Sequence, residues 1–310
     1  MDNTTTLTFT MTAYAVLENH KKELFTLFLF LYVITVILNL LFIIIIQQNK
    51  ELHLPMNVFT CMLCLNEIYG STALLPAIMS LLMSATHEVP VAWCKAQVYF
   101  LHTYGSNEFS VLAVMGYDRY VAICHPLHYH SIMSTSKMSK LIALAVLWPC
   151  ITFGCLFSLT LRLSFCGKFI PKLYCVNMEL VKKSCTSVSY ISIVGLLFIL
   201  VLIVPQLLMI VFSYVKILRV CLKLRSESTR NGLRTCIPHL LSLMSYSAGA
   251  LFEIGQTRLD MSHVAAETRI FLSLYFLVIM PVVNPLLYGL GTQRIRLLLL
   301  KLPTRRKSSQ

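Results

Sequence analysis

Charged residues are scarce in this sequence. Only 13% of its 310 residues are Asp, Glu, Lys or Arg, whereas a soluble domain has about a quarter. Hydrophobic residues make up 57% of the chain, and the mean hydropathy is +0.73. This composition excludes an ordinary soluble domain and indicates an integral membrane protein.

Catalytic signatures are missing as well. The sequence has no GxGD or GxSG pattern of an intramembrane protease, and no loop or tail is long enough for a separate catalytic domain. Repeated halves, which many transporters show, are also absent. We therefore expect that the protein is not an enzyme and has no cofactor, apart from the ion considered below.

Long runs without charge occur along the chain, several of them beyond the roughly 18 residues that mark a membrane span. Two further runs are interrupted near their middle by Glu67 and Glu108. The alternating pattern of a membrane β-barrel is absent, which leaves helices as the spanning structure. We predict an all-α integral membrane fold, a single seven-transmembrane helix bundle over 1–310. The spans are predicted at about 24–46, 57–83, 94–123, 141–161, 188–215, 234–256 and 270–290.

The positive charge is distributed unevenly. Sixteen Lys and Arg residues but only three acidic ones fall in the loops and tail of one side, while the other charges cancel. The net charge of +13 therefore lies on that side, which the positive-inside rule makes cytoplasmic. A nucleic-acid partner is excluded because these charges sit in short loops between spans. We expect a multi-pass plasma-membrane protein with its N-terminus extracellular and its C-terminus cytoplasmic.

The two ends of the chain follow from this orientation. Residues 1–23 form the predicted extracellular N-terminus, which shows no cleavable signal peptide and carries a glycosylation sequon at Asn3. The stretch "RIRLLLLKL" predicts a short amphipathic eighth helix on the inner leaflet, over about 292–302. Residues 303–310 form the predicted cytoplasmic tail.

Four of the 11 cysteines fall in outer loops or at an outer helix end. An oxidising compartment favours disulfides there, and four cysteines allow three connectivities. The four are Cys94, Cys166, Cys175 and Cys185. Spacing alone leaves the pairing open.

Glu67 and Glu108 are the acidic residues nearest to mid-membrane, where a carboxylate predicts a functional site. Two carboxylates that face one interior either share a proton or hold a cation such as sodium. Asn284 of the seventh span is predicted at the same depth as a neutral oxygen ligand. The alternative is that both carboxyl groups are protonated, hydrogen-bonded structural residues.

Asp118 and Arg119 stand side by side at the inner end of the third span, in "MGYDRYVAICHPLHYH". Charges in lipid are costly unless they are paired or hydrated. We therefore expect the pair to neutralise itself in a closed bundle and to release Arg119 when the bundle opens. A merely interfacial arginine is the alternative.

The seventh span contains "PVVNPLLY", which places Asn284 and Tyr288 on one helix face. Pro281 and Pro285 bend the helix and free backbone carbonyls. These polar groups are predicted to face the same interior as the charged pair.

Together these motifs resemble the rhodopsin-like receptors and, within them, the olfactory receptor family. The segment "EFSVLAVMGYDRYVAICHPLHY" is similar to the family's MAYDRYVAICxPLxY, and "LHLPMNVF" to its LHTPMYFF. The three spaced cysteines of "SFCGKFIPKLYCVNMELVKKSC", with "SYVKIL", "LRTCIPHL" and "NPLLYGL", complete the resemblance. Phrases such as "LNEIYGSTALLP" look more like fish members.

The sequence departs from the family pattern at several positions. Glu67 replaces the usual aspartate, Gly116 replaces alanine, and Tyr246-Ser247-Ala248 stands where the family has FYG. These changes put the local switch geometry of the sixth span in doubt. No cysteine follows Cys236, so the tail offers no site for a palmitate anchor.

The resemblance implies roles for individual residues. The implied disulfides are Cys94–Cys175 and Cys166–Cys185. The implied coupling and switch residues are Asp118, Arg119, Tyr120, Tyr214, Asn284, Pro285 and Tyr288. The implied ligand contacts are Leu101, His102, Gly105, Ser106, Phe198, Leu202, Ala250, Leu251, Ile254 and Leu277.

The implied function is that of an odorant receptor. It would bind a small organic ligand within the bundle and activate a stimulatory heterotrimeric G protein, raising cAMP. A non-olfactory rhodopsin-like receptor is the nearest alternative, although Leu101 and His102 stand where an amine receptor would have an aspartate. A seven-helix transporter or channel is the alternative from another class.

Overall fold

The fold is described from a computed structural model, which covers residues 8–186, 189–224, 227–259, 261, 263–291 and 295. Long helices dominate this part of the chain. They are α1 (Lys21–Gln48), α2 (Pro55–Met83), α3 (Val91–Cys124), α4 (Thr135–Leu161), α5 (Ser189–Leu224), α6 (Glu227–Arg258), α7 (Ala266–Val278) and α8 (Met280–Gly291). Only Ile279 separates α7 from α8, so the pair forms the seventh column.

Short helices occupy the connections. Single α-helical turns lie at Tyr14–Leu17, Tyr129–Ile132 and Asn177–Val181, and 3-10 turns at Glu18–His20, Lys50–Leu52 and Pro126–His128. Local sequence explains some starts. Pro55 is at the first position of α2, where its missing N–H has no helical partner to lose. Ser134 caps α4 by accepting from the Lys137 N–H at 3.4 Å.

The helix α3 is the centre of the bundle. It packs against α2, α4, α5 and α6, while α1 packs on α2 and α8, and α6 packs on α7 and α8. Its polar side chains therefore meet other helices and not lipid. Large apolar side chains instead point outward on the peripheral helices, as Phe30, Ile151 and Leu200 do.

Five helices of the described residues are long and apolar enough to cross a membrane. They are Tyr14–Gln48, Pro55–Met83, Thr135–Leu161, Tyr190–Val220 and Ala266–Tyr288. The remaining long helices, α3 and α6, carry more polar residues. In α3 this follows from its central position, since Glu108 and Asp118 are both fully buried. The protein is thus mostly helical, with helices suited to a membrane.

A small sheet covers the outer end, so the all-α prediction was incomplete. The strand β1 (Thr8–Met11) runs antiparallel to β2 (Glu88–Pro90) and parallel to β3 (Phe169–Ile170), in the order β2-β1-β3. Alternate residues of β1 point inward, and Phe9 packs edge-on against Phe165 at 5.3 Å between ring centroids.

Two disulfides fasten the same end. Cys94 at the start of α3 joins Cys175, and Cys166 joins Cys185. This is the pairing implied by the family resemblance. Around the first bridge, the Cys175 N–H donates to the Gln97 side-chain oxygen at 2.9 Å, which ties the outer loop to α3.

Some predictions fall on residues outside the described ranges. These are the sequon at Asn3, the tail 303–310 and, apart from Ile295, the interfacial helix at 292–302.

Candidate functional site

A cluster of buried polar side chains lies where α2, α3, α6 and α8 meet. Its centre is formed by Glu67 of α2 and Glu108 of α3, both fully buried. The neighbouring groups come from Asn66, Tyr104, Tyr246 and Asn284, and we call these six residues the acidic cluster. The structure thus brings together the two carboxylates and the asparagine that the sequence singled out.

Glu67 is the most heavily bonded residue of the acidic cluster. It accepts from the Tyr104 hydroxyl at 2.7 Å, from the Tyr246 hydroxyl at 3.2 Å and from the Asn284 amide N–H. The Tyr104 and Tyr246 hydroxyls also hydrogen-bond to each other. Donors from α3, α6 and α8 therefore converge on one carboxyl group of α2.

Glu108 shares these neighbours. It accepts from the Asn66 amide at 2.7 Å and from the Asn284 amide at 3.4 Å, and it also hydrogen-bonds to Glu67. A bond between two carboxyl groups requires a proton on one of them, because two carboxylates have only acceptors. The contact therefore fits a shared proton.

The orientation of Asn284 differs from the prediction. Its amide nitrogen faces the two carboxyl groups, while its oxygen accepts from the Ser242 hydroxyl at 2.7 Å. A neutral oxygen ligand for a cation is therefore not presented between the carboxyl groups. The physical reason is simple, since acceptor-only carboxylates attract the donor end of an amide.

Gly70 makes room for the acidic cluster. A Cβ atom at this position would lie 2.3–2.6 Å from ring carbons of Tyr104. Any side chain there would displace the Tyr104 ring, because protein interiors have no slack of that size. The glycine thus sets the position of the hydroxyl that donates to Glu67.

The seventh column continues the polar path toward the inner side. Tyr288 donates to the Ser242 hydroxyl at 3.3 Å, which in turn bonds to Asn284. Pro285 lacks an N–H and so leaves the Pro281 carbonyl without its helical partner. The Asn39 amide of α1 donates to that carbonyl at 2.9 Å. The predicted proline effect is therefore compensated by a specific side chain.

The inner end of α3 contains the predicted ion pair. The Arg119 guanidinium donates to one Asp118 oxygen at 3.0 and 2.5 Å, and the Tyr129 hydroxyl donates to the other at 2.7 Å. Burial and the Asp118 carboxylate raise the pKa of Tyr129, so this hydroxyl remains a donor. The carboxylate is thus held from two sides.

Two further inner residues were predicted, and one partner was missed. The Tyr214 hydroxyl bonds to Nδ1 of His239, whose Nε2 bonds to the Leu112 carbonyl oxygen at 2.7 Å. The path therefore joins α5 and α6 to α3. Tyr120 bonds instead to His125 at 3.1 Å. The signal for His239 was a lone histidine in an apolar helix.

The predicted ligand contacts surround the outer half of α3. His102 bonds through Nδ1 to the Val98 carbonyl oxygen at 2.9 Å and stacks on Phe153 at 4.6 Å between ring centroids. Phe153 also contacts Phe198 of α5. Leu101, Leu202 and Leu277 are buried, whereas Gly105, Ser106, Ala250 and Ile254 are partly buried.

Two positions depart from that expectation. Leu251 is 70% exposed and points away from the bundle, because it is one helical step, about 100°, past Ala250. Sequence reasoning also missed Gln206, which donates to Ser110 at 2.7 Å while its buried Oε1 has no partner in the structure. Beside it is open space, since a Cβ at Gly105 would meet no atom within 4 Å.

The arrangement transmits and does not catalyse. A buried hydrogen-bonded path connects an apolar interior beside α3 to an ion pair at the inner mouth, within helices suited to a membrane. These features are those of a G-protein-coupled receptor.

Comparison with known proteins identifies the family. The sequence model described as "Olfactory receptor" matches residues 28–305. Human olfactory receptor 52K1 is 32% identical over 271 residues, which cover 87% of this chain and 86% of the relative. Rat olfactory receptor 1 is 33% identical over 281 residues, 89% of this chain and 88% of the relative. The chain belongs to the olfactory receptor family, whose members are plasma-membrane, multi-pass receptors and not enzymes.

A third relative extends the similarity over more of the chain. Human olfactory receptor 10J4 is 31% identical over 300 residues, 94% of each chain. The relatives named here are mammalian, and nothing in the comparisons supports the expectation of a fish-type member.

Proposed function

We propose that this protein is an odorant receptor that binds a small organic ligand beside α3 and activates a stimulatory G protein, which raises cAMP. The observation that carries the proposal is the bonded path from the acidic cluster to the inner ion pair. Ligand-dependent shifts of α6 and α8 would change the donors on Glu67. The same helices carry His239, Ser242 and Tyr288 toward the inner mouth.

All seven helical columns cross the membrane in this proposal, with the N-terminus outside. The two disulfides support that orientation, because they lie at the end where α3 begins and an oxidising compartment favours them. The basic loops then face the cytosol. The polar residues of α3 and α6 are accommodated because they face the bundle interior.

The ligand site proposed here lies among Leu101, His102, Gly105, Phe198 and Leu202. Mostly apolar walls with one imidazole suit a small, modestly polar molecule. Ser106, Ala250, Ile254 and Leu277 complete the set of contacts that we retain. Leu251 is left out because it faces away from the bundle.

Arg119 is the residue whose removal tests coupling. In the closed bundle it is bonded to Asp118, and on opening it would meet the G protein. Arg119→Ala should abolish ligand-driven cAMP while it leaves surface expression largely intact, measured in cells with a cAMP reporter and an odorant panel. Arg162→Ala, an exposed arginine at the outer end of α4, is the matched control and should signal normally. Normal signalling by Arg119→Ala would refute the coupling role.

The acidic cluster is proposed as the conformational switch. A shared proton, or a sodium ion in its place, stabilises the inactive bundle by its differential affinity for that state. The donors that already occupy Glu67 favour the proton. With sodium, raising its concentration should weaken agonist potency. With a shared proton, potency should be insensitive to sodium.

Glu108→Gln separates these cases from a purely structural role. The amide cannot share an acidic proton, so basal cAMP should rise under either switch, and any sodium dependence should disappear. The measurement is basal and agonist-driven cAMP in sodium and in a sodium-free buffer. Unchanged basal signalling, with an unchanged sodium response, would mean that the carboxyl groups are only structural.

A further inference from the structure

A cavity of about 500 Å³ opens at the outer end, apart from the ligand contacts beside α3. Four parts of the chain form its wall: the segment after β1, the loop after β3, the end of α6 and the start of α7. Apolar side chains such as Val16, Leu259, Ile270 and Leu274 line part of it. Its volume lies in the range of about 300–1,000 Å³ that is typical of small-molecule sites.

Three cationic side chains also line this cavity: Lys172, Lys182 and Arg269. Two of them are neutralised within the protein. The Lys172 ammonium donates to Glu253 at 2.8 Å, and the Lys182 ammonium donates to Glu179 at 2.8 Å. These pairs leave Arg269 as the lining cation for which the described residues contain no acidic partner.

Arg269 is also incompletely bonded. Its Nε atom is buried, yet it has no hydrogen-bond partner in the part of the chain that the structure describes. Nearly all buried polar groups in proteins are hydrogen-bonded, so such a donor indicates a missing acceptor. The guanidinium of arginine binds a carboxylate through two parallel N–H donors, one of which is Nε in the side-on geometry.

The other carboxylate nearby cannot fill this role. Glu253 already accepts from Lys172 at 2.8 Å, from Gln256 at 2.5 Å and from Ser273 at 2.7 Å. Ser273 and Gln256 line the cavity, so this network forms part of its wall. The wall is therefore internally satisfied everywhere near Arg269 except at Arg269 itself.

We propose that this outer cavity binds a small organic monocarboxylate, with Arg269 as the anion anchor and the apolar wall in contact with its hydrocarbon part. The site is independent of the odorant contacts proposed beside α3. Its binding is measurable without a G protein, so a failure of this proposal is distinguishable from a failure of the proposed receptor function.

The test uses the full-length receptor in lipid nanodiscs and ligand-observed NMR, with empty nanodiscs subtracted. Hexanoate should bind to the wild type, and its affinity should fall by roughly tenfold or more in Arg269→Gln, since a hydrogen bond to a charged group contributes about 1.5–3 kcal/mol. Hexanamide should bind weakly to both. Inorganic phosphate should also bind weakly, because it leaves the apolar wall uncovered.

Two controls make the result specific. Arg258→Gln removes an arginine that is already bonded to Ser192 and does not line the cavity, so hexanoate affinity should stay close to that of the wild type. Ala266→Trp should block hexanoate by filling the cavity, with monodisperse elution as the check on folding. Arg269→Lys should keep part of the affinity if Arg269→Gln misfolds. The proposal is overturned if hexanoate fails to bind to the wild type, or if it binds equally to Arg269→Gln or no better than hexanamide or phosphate.

Discussion

The outer and inner ends of the bundle are held together by different kinds of bond. Both disulfides of the described residues, the three-stranded sheet and the Lys172–Glu253 ion pair lie at the outer end. At the inner end, the contacts are hydrogen bonds and the ion pair between Asp118 and Arg119. Covalent bonds resist separation of the helices, whereas each hydrogen bond contributes only about 1 kcal/mol.

This difference fits a protein that opens at one end only. A ligand acting near the fixed outer end can displace the inner ends of the helices, because those ends have the weaker connections. The acidic cluster lies between the two regions and bonds to helices from both. Three variants test how far this contrast holds.

The largest expected effect comes from the outer end. Cys94→Ser opens a bridge between residues separated by 81 positions, and a loop of that length corresponds to about 4–5 kcal/mol of unfolded-state constraint. We expect a sharp loss of surface expression and of the melting temperature of purified receptor. Cys61→Ser, at a thiol within α2 that forms no disulfide, is the matched control and should change little. Equal behaviour of the two variants would remove the basis for a rigid outer end.

A smaller effect is expected from tight packing at the acidic cluster. Gly70→Ala places a methyl group against the Tyr104 ring, and overpacking of this kind costs about 1–3 kcal/mol. At the inner end, a Cβ at Gly116 would meet His239 only at 3.6 Å, an ordinary contact. Gly116→Ala should therefore raise the melting temperature slightly through helix propensity. If Gly116→Ala is the more damaging variant, the inner end is not the looser one.

The smallest expected change in stability, with a visible change in signalling, comes from Tyr129→Phe. It removes one donor from Asp118, and a hydrogen bond to a charged group is worth about 1.5–3 kcal/mol. Basal cAMP should rise because the closed inner end loses that bond. Tyr14→Phe removes a comparable bond at the outer end, to the Leu173 carbonyl oxygen at 2.7 Å, and should leave basal cAMP unchanged. Similar basal signals from both variants would contradict the contrast.

Sequence patterns predicted the features that depend on solvent. Apolar runs indicated the helices, since lipid accepts only apolar surfaces and satisfied backbones. The mid-membrane carboxylates Glu67 and Glu108 stood out because their surroundings are apolar. The structure then shows that they are adjacent, which no pattern within one helix could establish.

Features that depend on distant partners could not be predicted in this way. The strand β1 has only four residues, and its partners follow much later in the chain. Tyr129 lies in a loop that was interpreted as solvated, yet its hydroxyl reaches Asp118. The rotation that points Leu251 outward while Ala250 faces inward is set by helix packing, which the periodicity of a nearly uniform apolar run does not specify.

The threading of β1 has a consequence for the order of biosynthesis. Thr12 bonds to Ile170, a residue 158 positions later, and β3 pairs only with β1. At about 5–20 residues per second, the first strand is made roughly 8–30 seconds before its second partner exists. Phe9 and an unpaired strand edge are exposed to the lumen during that interval, the kind of surface that chaperones recognise. Completion of the outer sheet therefore gives the secretory pathway a late signal that the first four helices and the loop after them have been delivered.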